Sequence, residues 1–514
     1  MKTRAIRLCA LFLASLMLLG ALVACTPKEE APETQAPVET EAPVESEGET
    51  AAKEPETEDP AKQMENALNA LGKVDYDGNT LGILCDANTE SEIKGLEGMV
   101  DAEGGTAQVI NDAVYTRNQA LEQLCNLEVS PIKVENIDET VRLEATAPSR
   151  DFQFIDALLL KTATNYTTNA FLADWNEFGI DLDQPWWDAG TADFLLDGGI
   201  YFMSGSLNYS DDLLTYVIVF NKQLREDYKQ TVPDPYPIVR NNEWTLDYFY
   251  NVIQGISKDD DGQGFDEFDT YGFVTNWEYG NSFFIGSGLR YIINDETVDA
   301  PSLYLSGNKA RMEKALDVLD LARKIFHDNN ATYMSPKGEE IKGVTAFQEE
   351  RALFFGEAVT YVQKFNREMD GDYGILPIPK YDEKQAEYRT WTHGNGSTFS
   401  IINTIPTNDR ETVGKIMTAY AVLSHQYLRP AFYDTVLTSR SLRDPDSVEM
   451  MDMIFSNRVY DMAFYFTSTF TFEPIFKECV VDNKDTFSSS YKGASGRFDK
   501  NVQKLFKQLS NAKN

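Results

Sequence analysis

Leu214-Thr-Tyr-Val-Ile-Val-Phe220 is rich in β-branched and aromatic residues and carries no charge, so it reads as a strand. Asn79-Thr-Leu-Gly-Ile-Leu-Cys85, after the turn pair Asp77-Gly78, reads as an earlier strand buried on both faces. Helical patterns sit between and after such runs. Asn111–Leu124 carries Val114, Leu121 and Leu124 on an apolar stripe, and Phe152–Thr164 is a further apolar segment. Glu243–Ile253 predicts a helix capped by Thr245. In Lys309–Phe326, Met312, Ala315, Leu316, Leu319, Ala322, Ile325 and Phe326 keep the 3–4 spacing of one buried face. Glu357–Val362, Tyr373–Ile378 and Thr398–Ile402 read as strands. Glu411–Ser424 reads as a helix, and Asp444-Pro445 as the N-cap and first residue of another. Strands and helices alternate along the chain, so the fold class is α/β. No repeat of 20–50 residues supports a solenoid.

The chain has 514 residues, 42% hydrophobic and 25% charged, the composition of a globular protein. Its 46 basic residues face 82 acidic ones, a net charge of −36. Phosphate neutralisation needs basic surface, so no nucleic-acid partner is expected. The N-terminus is not part of the fold. Lys2, Arg4 and Arg7 precede an apolar run that ends in Leu22-Val-Ala-Cys25, so residues 1–24 read as a secretory leader. Residues 25–62 read as a disordered acidic, Pro/Glu/Thr-rich tether, with twelve acids, three lysines and six prolines in Thr26–Lys62. The leader contributes +3 and the tether −9, so the body carries about −30. The body's cysteines, Cys85, Cys125 and Cys479, are an odd number. They read as buried apolar thiols rather than a disulfide framework, although one bridge among them stays open.

Local signatures of catalysis are missing: no phosphate-binding Gly-rich loop, His-Glu-x-x-His, Gly-x-Ser-x-Gly or Cys-x-x-Cys occurs in the sequence. A glycosidase carboxylate pair needs no local motif, so surface glycan hydrolysis stays as an alternative. Of three histidines, His327 and His425 read as cations at helix ends, and His393 as the one near a ligand. Aromatics make up 12%. Gln184-Pro-Trp-Trp-Asp188, Asn276-Trp-Glu-Tyr-Gly-Asn-Ser-Phe-Phe284 and Arg389-Thr-Trp-Thr-His393 set tryptophan among polar residues. Such rings suit the C–H face of a sugar while their neighbours bind its hydroxyls, though each can equally be core. The expected site is Trp277, Tyr279 and Trp391 for stacking, with Glu278, Asn281 and Asn395 as polar partners, and Trp186 and Trp187 behind them. Trp244, on a capped helix, reads as core. Ser257–Asp269 reads as an incomplete calcium loop or a solvated acidic turn. Asp259, Asp261, Gln263, Phe265 and Glu267 fill positions one, three, five, seven and nine, and Thr270 stands where a bidentate Glu belongs. Any ion there would be structural, and no other cofactor is expected.

Several stretches together resemble the extracellular solute-binding lipoproteins of ABC importers, family 1, the sugar-type branch. They are Ile110-Asn-Asp-Ala-Val-Tyr-Thr-Arg-Asn118, Ile180–Asp188, Val219-Phe-Asn-Lys222, Trp244-Thr-Leu-Asp247, the acidic run into Asp269-Thr-Tyr-Gly272, Tyr373–Glu383, Arg443-Asp-Pro-Asp-Ser447 and Arg458-Val-Tyr-Asp461. The leader's ending resembles a bacterial lipobox, which implies lipidation of Cys25 and anchoring at the extracytoplasmic face of the membrane. The resemblance implies a type II two-lobe fold with a cleft and hinge. Residues 63–218 and 397–443 would form lobe 1, and residues 219–396 and 444–514 lobe 2. The crossings would lie near Val217–Asn221 and Ser397–Ile402. It further implies a monomer that is not an enzyme and that hands a captured solute to membrane permease subunits. The solute would be a carbohydrate, with a peptide or a cation as the alternative.

Overall fold

The computed structural model describes residues 59–86, 109–295, 300–362, 365, 369, 371–437 and 445–512. The leader, Cys25, most of the tether and Asp444 lie outside the described residues. The tether's expected end is corrected: Asp59 caps a helix over Pro60–Ala70, its carboxylate accepting from Ala61 N, so residues 59–62 are already folded.

In chain order the strands are β1 Thr80–Asp86, β2 Glu128–Val134, β3 Phe154–Leu158, β4 Phe202–Met203, β5 Tyr216–Asn221, β6 Tyr271–Asn276, β7 Ile292–Asp295, β8 Ala300–Leu303, β9 Thr332–Ser335, β10 Ala352–Ala358, β11 Tyr373–Leu376, β12 Thr390–Trp391, β13 Ser397–Ile401 and β14 Arg458–Val459. One five-stranded sheet has the order β2-β1-β3-β13-β4 and a second the order β11-β5-β10-β6-β9. β1, β2 and β3 run parallel, and so do β10, β6 and β9, while β13 and β5 run against their neighbours. Parallel strands are covered on both faces. β6 and β10 are accordingly buried along their whole length, and so is the antiparallel β5 between β10 and β11.

The helices form where apolar spacing and capping coincide. Thr245 caps Leu246–Ile253, its hydroxyl accepting from Tyr248 N at 3.2 Å. Asn308 caps Lys309–His327, which buries Ala315, Leu319, Ala322, Ile325 and Phe326. The helix expected over Glu411–Ser424 runs from Arg410 to Leu437, through Pro430. His425 therefore lies inside that helix rather than after it. The strand expected over Glu357–Val362 is β10, five residues earlier, followed by a 3₁₀ turn over Val359–Tyr361. Cys85, Cys125 and Cys479 are buried and are not bridged to one another.

The chain leaves the first sheet after Met203 and enters the second at Tyr216. The first crossing is therefore residues 204–215, ahead of the expected Val217–Asn221, and residues 216–218 belong to the second sheet. The return, residues 392–396, leads into β13. The crossings are joined side by side: His393 N donates to Leu214 O at 2.9 Å, and the hydroxyls of Thr215 and Thr392 both donate to Asp211 O. β13 and β5 each begin where the parallel strands of their sheets end, Ser397 facing Leu158 and Tyr216 facing Ala358. The carboxyl edges of both sheets thus meet the crossings, which is where an open α/β sheet binds ligands.

Candidate functional site

The second sheet's carboxyl edge is built on the turn after β6. Asn276 Nδ2 donates to Glu357 at the end of β10, and Asn276 Oδ1 accepts from Glu278 N at 2.7 Å. One amide thus fixes the turn that presents Trp277 and Glu278. Glu278 is met by His393 from the return crossing, Nε2 to Oε2 3.3 Å. Lys477, from the helix Glu473–Val481, lies 3.8 Å from its other oxygen and 2.5 Å from Glu473. Burial alone would raise the Glu278 carboxyl, but His393, Lys477 and Lys337 outweigh it and hold the carboxyl below its ordinary value. The ammonium groups of Lys337 and Lys477 sit over the Trp277 ring, 4.4 and 4.3 Å from its centre. Tyr361 completes this edge; burial and then Glu357 push its phenol well up.

The first sheet's edge ends in Asp86, buried, with Lys161 Nζ 2.5 Å away. Beside it Tyr166 donates to Asp138 at 2.8 Å. Asn208, on the first crossing, donates to Asp156 at 3.3 Å and to Ser397 Oγ at 2.8 Å.

Of the expected residues, Trp277 and Glu278 stand together on this edge, with side chains half-buried, and His393 touches Glu278. Asn395 is exposed on the crossing and its N–H donates to His393 Nδ1 at 3.2 Å. The others are packed inward. Tyr279 is fully buried and donates to Val217 O at 2.9 Å. Asn281 is buried against Glu473. Trp391 stacks on Tyr216, centres 4.7 Å apart, and donates to Ser282 Oγ at 3.0 Å. Its faces are spent on packing, which corrects the expectation that it stacks on ligand. Trp186 and Trp187 are likewise buried and line a cavity of about 30 Å³ beside Arg458, and Trp187 meets Trp175 edge-on. Trp244 is core, its indole donating to Pro377 O at 2.9 Å. Glu357, Lys477, Asp86 and Lys161 were not picked out, because each is one charged residue without a motif. For Glu357, Asp86 and Lys161 the position at the end of a strand or just after it is the signal that finds them, whereas Lys477 lies within the helix Glu473–Val481 and carries no such signal.

Between the crossings lies a buried ion cluster. Arg458 Nη2 is 2.7 Å from Asp188 and 3.5 Å from Asp211, and Nη1 contacts Asp212. Tyr460 donates to Asp188 at 2.9 Å. Burial pushes the Asp211 carboxyl well above its ordinary range, even with Arg458 beside it.

In the acidic loop the carboxylate oxygens of Asp259, Asp261 and Asp269 lie within 4.8 Å of one another. The expected donor Glu267 is instead engaged by Lys342 at 3.0 Å. Gln263 is exposed, and Phe265 turns its ring toward Tyr271. Asp269, two residues past Glu267, takes the inward place.

No family model and no curated protein matches the chain. Solved structures do. The cyclic α-maltosyl-1,6-maltose binding protein of Arthrobacter globiformis is 14% identical, with a TM-score of 0.50 over 84% of this chain and 99% of that one. A cyclo/maltodextrin-binding protein complexed with maltotetraose is 12% identical, TM-score 0.51, over 84% and 96%. A sugar transporter of Rhizobium etli in an open conformation is 13% identical, TM-score 0.50, over 84% and 99%. At these identities the likeness is one of fold. With two sheets whose carboxyl edges meet paired crossings, the chain has the two-lobe α/β fold of the solute-binding proteins.

Proposed function

We propose that the protein is the extracytoplasmic receptor of an ABC importer and captures a carbohydrate or oligosaccharide between its lobes. One observation carries this reading. The carboxyl edges of both sheets converge on the paired crossings, and the second edge presents Trp277, Glu278 and His393 half-buried. A ligand that touches both edges favours the closed state by its differential affinity. Glu278 is held ionised and suits sugar hydroxyls as an acceptor. The paired carboxylates at these edges are tied to cations or amides, which supports binding rather than proton transfer, so the protein is read as no enzyme. No helix among the described residues is long and apolar enough to cross a membrane. Lipid on Cys25 would supply the anchor, and permease subunits would receive the solute from the monomeric receptor. We also propose a structural calcium at Asp259, Asp261 and Asp269.

A thermal-shift screen against mono- and oligosaccharides tests the main reading. A ligand at ~100 times its Kd adds about 2.7 kcal/mol, a rise of roughly a few degrees. The expected result is a sugar that raises Tm, is recovered unchanged, and loses its effect in Glu278→Gln or Trp277→Ala. Turnover of the sugar, or a shift only with peptides or polyamines, would overturn it.

A further inference from the structure

The first sheet carries a second cavity at its other end. The amino ends of β1 and β3 and the loop from β13 into the helix Arg410–Leu437 border a solvent-open pocket of about 400 Å³, lined in part by Tyr76, Asn79, Thr80, Arg150, Phe152 and Asp409. That volume is in the range of small-molecule sites. Asp86 is at the far end of β1, and seven residues at ~3.3 Å each put the cavity roughly 20 Å from the carboxyl edge.

Its lining is polar and unspent. Arg150 adopts a left-handed backbone, φ 66°, a conformation that persists only where the surroundings hold it. Here its N–H donates to Glu144 at 2.9 Å, and its carbonyl accepts from Gln153 at 3.5 Å. The backbone is clamped, while the exposed guanidinium has no protein partner among the described residues and meets solvent. The exposed Asp409 carboxylate has none either; its N–H donates to Pro406 O at 2.9 Å. The Tyr76 hydroxyl is also free among the described residues. Burial and then the Asp409 charge push the Tyr76 phenol up, so hydroxyl and carboxylate share one field. Phe152, buried, supplies apolar wall.

A cation and an anion left apart in one cavity ask for a ligand that carries both charges. We propose that this cavity is a second binding site, distinct from the cleft between the lobes, for a small zwitterion of the amino-acid class. The ligand carboxylate would meet Arg150, and its ammonium Asp409 and the Tyr76 hydroxyl.

Titration of the full chain with L-serine, L-glutamine and glycylglycine, followed by saturation-transfer NMR, tests this. Acetate and propylamine are the single-charge controls, and methyl glucoside is the neutral one. A zwitterion is expected to bind, with Kd raised about tenfold or more by Arg150→Gln and by Asp409→Asn, since each removes a charge-assisted hydrogen bond. Glu278→Gln should leave that Kd unchanged, which separates this site from the cleft. No zwitterion binding up to about 10 mM would overturn the proposal. So would binding indifferent to both substitutions, or methyl glucoside binding that alone responds to them.

Discussion

His425 shows how one partly buried side chain sets a pH response. It lies inside the helix Arg410–Leu437 with Nδ1 2.8 Å from Ser206 Oγ, and burial, then Arg429, lowers its pKa from 6.5 to about 4. The unfolded chain takes up this proton near pH 6.5, and the folded one only near 4. The contribution is complete above pH 6.5 and is lost as pH falls through 4, an effect on the order of 3 kcal/mol. In His425→Gln, urea unfolding at pH 7 and at pH 4.5 should show a smaller acid loss than in the parent. An equal loss in both would assign the acid sensitivity elsewhere. The same scale explains which site residues were legible. Trp277 and Glu278 stand out as an aromatic and an acid in a polar turn after a strand. Tyr279 and Trp391 share that local composition. Their burial is decided by Val217, Tyr216 and Ser282, far away in sequence, which no local pattern contains.

The acidic loop is an element whose composition misleads about its geometry. Read by spacing, Glu267 is a donor; in the fold it is drawn off by Lys342. Asp269 turns inward because both its oxygens accept backbone N–H groups, from Asp260 at 2.8 Å and Asp266 at 2.7 Å. Calcium should raise Tm, a chelator should reverse the rise, and Asp269→Asn should abolish it. No shift in millimolar calcium would leave the loop as a self-bonded acidic turn. Strands show the same division. β5 and the capped helices were legible because apolar run and punctuation agree along a single segment. β6 was not, because Gly272 reads as a break. It is glycine because a Cβ there would collide with the backbone of Ile253. The start of β10 was missed for a related reason: Gly356 makes room for the rings of Phe273 and Tyr279.

At the scale of the molecule, the Arg458 cluster decides how firmly the crossings are held. Asp211 and Asp212 lie on the first crossing, Asp188 comes from the first lobe's chain before β4, and Arg458 opens β14, which pairs with β12 just before the return crossing. One guanidinium thus ties three chain segments together. Removing it leaves the Asp188, Asp211 and Asp212 carboxyl groups buried without this cation; breaking a buried ion pair costs about 3–5 kcal/mol. The pH dependence follows from Asp211, whose pKa already lies above the ordinary range. Its protonated form is the favoured one in the fold, so its share of stability is present below the unfolded value near 4. That share is lost as pH rises through the folded value. Without Arg458 that folded value climbs further. Arg458→Ala should therefore lose more stability against the parent at pH 8 than at pH 5, and Asp211→Asn in the same chain should narrow the gap at pH 8. Thermal unfolding of the three proteins at both pH values reads this out. A deficit equal at pH 5 and pH 8 would mean that Arg458 acts by packing, through its place over the Phe455 ring 5.4 Å away, and not by charge.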